Sequence, residues 1–292
     1  MFLSKLKAAA SRLRSIEERT KRIQESLGRI EGRQLQDLPV GDIHATEFRV
    51  FSQWGEDGIL RHLLRHVKVS RKIFVEFGVE NYTESNTRFL LINGNWVGLV
   101  IDGSPENIDF VKRDDVYWRY NLKAECAFIT RENINDLVRR NGITGEIGLL
   151  SVDIDGNDYW VWEAIEVVTP SVVVVEYNSR FGPERAVTVP YHAQFVRTAV
   201  HFSNIYYGAS LAALCLLGER KGYSFVGCNT AGNNAFYVRN ELMPPDLPKL
   251  KSTEGFVRSQ FRESRNAQGG LALLSDAEEE AILDRLPVIE VS

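Results

Sequence analysis

The sequence predicts an α/β chain: a Rossmann-like, seven-stranded and mostly parallel sheet with a C-terminal antiparallel hairpin, preceded by a coiled-coil helix. Near-continuous apolar runs alternate with helical patterns from Phe51 onward, as parallel strands covered on both faces require. The last two predicted strands are separated only by Ala231, Gly232, Asn233 and Asn234, a hairpin loop that makes them antiparallel. Ahead of both, the first segment carries a heptad repeat.

That repeat places Phe2, Leu6, Ala9, Leu13, Ile16, Thr20, Ile23, Leu27, Ile30 and Gln34 at alternating steps of four and three. Leu6, Leu13 and Leu27 fall at heptad position a, and Ile16, Ile23 and Ile30 at d. Leucine at a with isoleucine at d favours more than two strands, so a homo-oligomer, trimer or tetramer, is expected through this helix. The alternative is an amphipathic helix packed on its own domain. Loop chemistry at Leu38, Pro39, Val40 and Gly41 divides the chain into an oligomerisation helix (1–38) and a Rossmann-like domain (42–292).

Strands are expected at 73–79, 97–102, 124–130, 147–155, 171–178, 223–230 and 235–239. Helical patterns lie among them at 58–67, 84–91, 133–140 and 159–167. Hydrophobic residues make up 44% of the chain and charged residues 25%, an ordinary globular balance. The net charge of −4 gives no reason to expect nucleic-acid binding. Cys126, Cys215 and Cys228 are far apart, which suits a reducing compartment. The start is no signal peptide and no run spans a bilayer, so the cytoplasm is the default location. Lys5, Lys7, Arg12, Arg14, Arg19, Lys21 and Arg22 admit peripheral contact with the inner membrane surface.

In a doubly wound sheet, ligands bind at the carboxyl ends of the strands. Here those ends carry polar clusters: Glu76, Gly78, Glu80 and Asn81; Asp102, Gly103 and Ser104; Asp153, Asp155, Gly156, Asn157 and Asp158; Glu176, Tyr177 and Asn178. Acidic groups that converge need hydroxyls, a cation or a metal to offset one another. Gly78 marks close approach of backbone to ligand, and Asp102 is placed to accept from both ribose hydroxyls. The GxGxxG dinucleotide fingerprint is absent.

The segments VEFGVENYTESNTRFLL, GLVIDGSPENIDFV and GLLSVDIDGNDYWVWEAI, with FSQWGEDGIL ahead of them, resemble FkbM-type methyltransferases over residues 51–239. Five parallel strands ending in an antiparallel hairpin is also the class I methyltransferase layout. The first motif departs from the family pattern: Glu76 stands for Asp, and Asn81 or Tyr82 falls near the second glycine. The resemblance implies S-adenosylmethionine as cofactor. Glu76 and Gly78 would line its methionine end, Asp102 and Ser104 its ribose, Glu125 its adenine, and Asp153 would lie near the sulfonium. Carboxylates match the cofactor's positive sulfur and ammonium.

DIDGNDY is also similar to the D-x-D-x-Y step of macrocin-type, metal-dependent sugar O-methyltransferases. That implies Mg²⁺ on oxygens of Asp153, Asp155 and Glu176, with Asn178 a further donor. At the acceptor side the candidates are Asp155, Asp158, Glu176 and Asn178, with His192 as an alternative general base. Tyr206, Tyr207 and Ser210 offer a sugar platform, and Arg258, Arg262 and Arg265 a cover for an anionic acceptor. The expected reaction is O-methylation of a sugar or polysaccharide, including a lipid-linked glycan. The arrangement resembles bacterial enzymes that cap O-antigen chains. A non-catalytic scaffold working through its coiled coil is the other expectation.

Overall fold

The computed structural model describes residues 2–292, without the side chains of residues 2–4, 8, 10 and 14, so Phe2 and Arg14 of the predicted stalk lie outside the described side chains. In chain order the elements are α1 (Phe2–Gln34), α2 (Glu56–His66), β1 (Ile73–Phe77), α3 (Arg88–Gly94), β2 (Val97–Asp102), α4 (Pro105–Arg113), α5 (Asp115–Arg119) and β3 (Leu122–Cys126). Then come α6 (Ile134–Arg140), β4 (Gly145–Val152), α7 (Asp158–Ala164), β5 (Val168–Glu176), β6 (Val187–Thr188), α8 (Arg197–Val200) and α9 (Leu211–Arg220). The chain ends with β7 (Tyr223–Cys228), β8 (Asn234–Arg239), α10 (Ser252–Gly255), α11 (Asp276–Leu283) and β9 (Ile289–Glu290).

The main sheet has the order β3-β2-β1-β4-β5-β8-β7. The first five strands are parallel, β8 runs antiparallel to β5, and β7 antiparallel to β8. This is the predicted Rossmann-like layout, a mostly parallel seven-stranded sheet closed by a C-terminal antiparallel hairpin. Strand alternation divides the core into two layers. Val75, Phe77, Leu99 and Ile101 pack to one side, and Phe74, Val100, Leu149 and Val174 to the other. A second sheet, absent from the sequence reading, pairs β6 with β9. It ties the C-terminal segment back onto the domain. That segment is held further by buried Arg180, which donates to Glu263 (2.8 Å) and Glu279 (2.9 Å).

Most boundaries moved by a few residues, and two of the shifts have clear local reasons. The third strand is Leu122–Cys126, not 124–130, because the chain leaves the sheet beside Asp102 once Ala127 N–H has bonded the Asp102 carbonyl. The helix expected at 84–91 starts at Arg88, because Glu76 captures the Asn86 and Thr87 N–H groups.

The first 33-residue element is helical, and its apolar seam faces solvent: Leu13 is 67% exposed and Ile16 and Ile23 60% each. A different face of its C-terminal half meets the domain. A Cβ on Gly28 would lie 2.3 Å from Val50, and one on Gly32 2.4 Å from Arg61. At Gly28 a side chain would displace Val50, whereas at Gly32 it would meet the flexible end of Arg61, and Gln24 adds a hydrogen bond to the Val50 carbonyl. The helix therefore docks on its own domain without using its leucines and isoleucines among the described side chains.

Candidate active site

A cleft of about 450 Å³ opens at the carboxyl ends of β1, β2, β4 and β5. Its walls include Glu76, Gly78, Asp102, Asp153, Asp155 and Glu176, all singled out from the sequence. Asp102 is buried, and both its oxygens already accept hydrogen bonds. Oδ2 takes the Glu80 N–H (2.8 Å), and Oδ1 takes the Ser104 N–H (2.8 Å) and the Asn107 amide (3.1 Å). Gly78 is required for another reason than the one expected. It has φ +66°, and a Cβ there would lie 1.7 Å from the Asp153 carbonyl oxygen. The close approach is to the chain just beyond β4, at the wall of the cleft.

Glu76 reaches the cleft wall, yet its oxygens are committed to Asn86 N–H (2.7 Å), Thr87 N–H (3.2 Å) and the Thr87 hydroxyl. Burial pushes its pKa up to about 7, against these lowering bonds. The native state then binds more protons than the unfolded chain between the ordinary 4.5 and 7, so stability from this group falls as pH rises through that window. Relative to Glu76→Gln, the parent should lose about 3 kcal/mol between pH 4.5 and 7.5, at about 1.4 kcal/mol per unit. Denaturant titrations at both pH values measure this. A pH-independent difference would contradict it.

Two predicted cofactor residues are not in the cleft. Ser104 caps α4, accepting the Asn107 N–H. Glu125 is paired in register with Ile101 and turns to Arg140 and Asn141 beside α6. The cleft wall at that end is instead Gly103, Ala127, Phe128 and Ile129.

At the other end, Asp153, Asp155 and Glu176 bring carboxylate oxygens within 4.8 Å of one another. Asp155 stands at φ +55° and receives Arg197 Nη1 at 2.6 Å. Arg197 also bonds Glu263 and lies 3.6 Å over the Tyr207 ring. Asp153 keeps some exposure into the cleft although it lies deep within the protein. Burial, then repulsion from neighbouring carboxylates, holds Asp153 and Glu176 well above the usual carboxylate range. Four cleft residues present buried polar atoms with no hydrogen-bond partner: Ser85 Oγ, Asn157 Oδ1, Glu176 Oε2 and Asn234 Oδ1. Buried polar groups are ordinarily satisfied, so these four are free to take a partner from the cleft.

The remaining candidates have structural work. Asn178 is fully buried and donates to the Ile205 and Tyr207 carbonyls (2.9 and 3.1 Å), so it is not at the acceptor. Asp158 accepts the Ile154 and Gly156 N–H groups (2.8 Å each) and braces their loop. His192 is exposed outside the cleft wall, and its ring meets only the Gln194 N–H (3.3 Å). Tyr206 bonds the Pro287 carbonyl, and Tyr207 lies buried beneath Arg197. The arginine cover is replaced by Phe261 and Glu263, which line the cleft, while Arg258 pairs with Asp276 (2.9 Å). Phe261 stacks on Trp54 at 5.2 Å between centroids.

Sequence reasoning missed Arg197, Asn234, Phe261, Glu263 and the loop braces Glu56 and Asp57. Asn234 stands opposite Glu176 through the register of β5 with β8, which no local pattern in the sequence signals.

No family model matches the sequence, and no curated protein matches it. Among solved structures the chain is similar to the N-terminal domain of EvdMO1 with SAH bound, at 12% identity over 73% of this chain and 94% of that one, TM-score 0.41. It is similar to an S-adenosylmethionine-dependent methyltransferase from Clostridium acetobutylicum, at 9% identity over 57% and 83%, TM-score 0.34. TehB from Haemophilus influenzae is similar at 12% identity over 59% and 58%, TM-score 0.34. At these identities and scores the likeness assigns no residue and no activity here.

Proposed function

We propose that this protein is an S-adenosylmethionine-dependent O-methyltransferase acting on a sugar or polysaccharide hydroxyl. The observation that supports it best is the division of one cleft into two chemistries: Asp102 at the end of β2, and an acidic cluster at the ends of β4 and β5. S-adenosylmethionine, when bound, supplies a methyl group on a positively charged sulfur. Asp102 would hold its ribose, Gly103, Ala127, Phe128 and Ile129 its base, and Glu76, Gly78 and Glu80 would line its amino-acid end. The unpartnered Ser85 hydroxyl at that wall fits a polar ligand.

The acceptor oxygen must be held in line and must shed its proton. Asp153, Asp155 and Glu176 are the groups the cleft offers for that. Gln53, Asn157, Asn233 and Asn234 surround them with amides, which suits a polyol better than an apolar acceptor. Phe261 gives the mouth one aromatic face. The exposed seam of α1 would make the active form a trimer or tetramer. Its exposed Lys5, Lys7, Arg12, Arg19 and Arg22 would favour a lipid-linked glycan at an anionic membrane surface. No helix among the described residues is long and apolar enough to cross a membrane.

Asp155→Asn keeps the side-chain shape but removes a charge. It should cut methyl transfer to glycan acceptors by about 100-fold or more, leaving S-adenosylmethionine affinity within a few fold. Radiolabel transfer and calorimetry on the same variant test both halves. Equal loss of both would move Asp155 to the cofactor. A parent that binds no S-adenosylmethionine would leave the scaffold reading.

A further inference from the structure

We propose that the acceptor is a vicinal diol: one hydroxyl reacts beside the acidic cluster, while its unreacted neighbour donates to Asn234 Oδ1, an oxygen that buried Glu56 holds toward the cleft. The choice of reacting hydroxyl rests on the methyl-transfer reading; the hold on its neighbour does not require the methyl donor.

Asn234 is the first residue of β8 and the register partner of Glu176 across the antiparallel β5–β8 pair. Directly opposed side chains on one face stand about 5 Å apart at Cβ, so the two project together. Both line the cleft, and both are more than nine-tenths buried, Glu176 at 7% exposed and Asn234 at 4%. Each carries one oxygen with no hydrogen-bond partner, Glu176 Oε2 and Asn234 Oδ1. A buried acceptor atom left unpaired is costly, so each calls for a donor from the ligand. Two such oxygens on opposed residues match two hydroxyls on adjacent ring carbons. A lone hydroxyl would satisfy one and leave the other bare.

The orientation of the Asn234 amide is fixed by its neighbours. Its Nδ2 donates to Glu56 Oε1 at 2.8 Å, and Asn229 Nδ2 donates to the same oxygen at 2.7 Å. Asn229 is itself fixed, because its Oδ1 takes the Asn233 and Asn234 N–H groups (3.2 and 3.0 Å). Glu56, fully buried, takes the Trp54 and Gly55 N–H groups on its other oxygen (3.0 and 2.9 Å). A carboxylate that receives four N–H groups only accepts, so the Asn234 nitrogen faces it and the oxygen is left for the cleft. That oxygen takes a donor and repels another acceptor. The site therefore requires the neighbouring hydroxyl to be free: any alkylation or acylation of that hydroxyl must follow this reaction, not precede it.

Glu56 also sets the rim against which a sugar ring would lie. Its bonds to Trp54 and Gly55 join those of Asp57 Oδ2 to the Val50, Phe51 and Ser52 N–H groups (2.8, 2.7 and 2.8 Å). Two side chains thus hold five of the six backbone N–H groups from Val50 to Gly55. The sixth belongs to Gln53, which lines the cleft, and Trp54 stacks on Phe261 at the mouth. Groups held in place before the ligand arrives lose little freedom on binding. Glu56 is therefore a positioning residue for both the amide oxygen and the aromatic face.

The probes are p-nitrophenyl glycosides of glucose, mannose and galactose and their monodeoxyfluoro analogues, in which fluorine replaces one hydroxyl and cannot donate. Saturation-transfer NMR on the full chain reads binding, and label transferred from S-adenosylmethionine reads kcat/KM. Fluorine at one neighbour of the reacting hydroxyl should lower the parent's kcat/KM by about 100-fold. Asn234→Ala should bring that ratio to within a few fold of one. Glu56→Gln should do the same by another route. The Trp54 and Gly55 N–H groups keep the new amide's oxygen, so its nitrogen faces Asn234, which turns over and shows N–H to the cleft. Misfolding lowers both substrates together and leaves the ratio unchanged, and thermal unfolding of each variant measures the structural cost. A parent ratio near one, or a parent-like ratio in Asn234→Ala, would overturn the diol site. A parent-like ratio in Glu56→Gln would remove its positioning role. Glycoside binding that discriminates against fluorine, without S-adenosylmethionine binding, would keep the subsite and refute the methyl-transfer reading. S-adenosylmethionine binding with no glycoside bound or methylated would overturn the diol and leave methyl transfer to another acceptor.

Discussion

Asp102→Ala should lose about 2–4 kcal/mol of S-adenosylmethionine binding, roughly 30- to 1,000-fold in affinity, because a doubly hydrogen-bonded charged partner of the ribose is removed. Part of that loss would be indirect. The same carboxylate gathers the Glu80 and Ser104 N–H groups and the Asn107 amide, so it shapes both loops at this end of the cleft. Asp102→Asn is no milder, since every protein partner is a donor and one face of the amide would present N–H to N–H. The useful control is Ser104→Ala. Ser104 faces α4 rather than the cleft, so this variant should cost about 1 kcal/mol of stability through the lost cap and leave cofactor affinity within a few fold. Calorimetry and thermal unfolding on both variants separate the two effects. Parent-like binding by Asp102→Ala would refute the ribose assignment. Equal cofactor loss in Ser104→Ala would mean that loop shape alone decides.

Full-length protein should run as a trimer or tetramer in light scattering, and Ile16→Asp with Ile23→Asp should make it monomeric. The helix is about 50 Å long at 1.5 Å per residue, and its seam leaves Leu6, Leu13, Ile16, Ile23, Leu27 and Ile30 about half or more exposed. That face is unstable in water unless partnered. The flanking charges select the partner's direction. With leucine at a, the g positions are Lys5, Arg12, Arg19, Ser26 and Arg33, and the e positions after Leu3 are Ala10, Glu17, Gln24 and Glu31. A parallel pair sets Arg12 against Glu17 of the other copy, whereas an antiparallel pair sets arginines against arginines. Gln24 is engaged with the domain at Val50, so the seam is freest ahead of it. Deleting residues 1–20 is therefore the cleaner truncation, because it spares the Gly28 and Gly32 contacts. A monomeric full-length protein would exclude the stalk. A truncated protein of unchanged subunit number would show that the globular domains assemble by themselves.

How much of this could be read in advance follows from the range of the interactions. Near-continuous apolar runs and the four-residue gap before Ala235 made the sheet and its hairpin legible, since both are local patterns. Once strands alternate with helices, their carboxyl ends must share an edge. Asp102, Asp153, Asp155 and Glu176 could thus be placed together without knowing any contact. The direction of a single side chain at that edge was not legible. Ser104, Asp158 and Asn178 have the same composition signal as true cleft residues, but nearby backbone N–H or carbonyl groups capture them. Glu125 shares its sheet face with Ile101 and so meets α6 instead of the cleft.

The sequence by itself determined the sheet, its antiparallel close, the acidic edge and the heptad seam, because each rests on spacing along the chain. Only the tertiary structure decided which acids face a ligand and what balances them. Arg197 reaches Asp155 from 42 residues away, and Asn234 faces Glu176 only through strand register. Glu263 arrives on a segment tied down by Arg180. Such pairings depend on how distant segments pack, and no local periodicity encodes them.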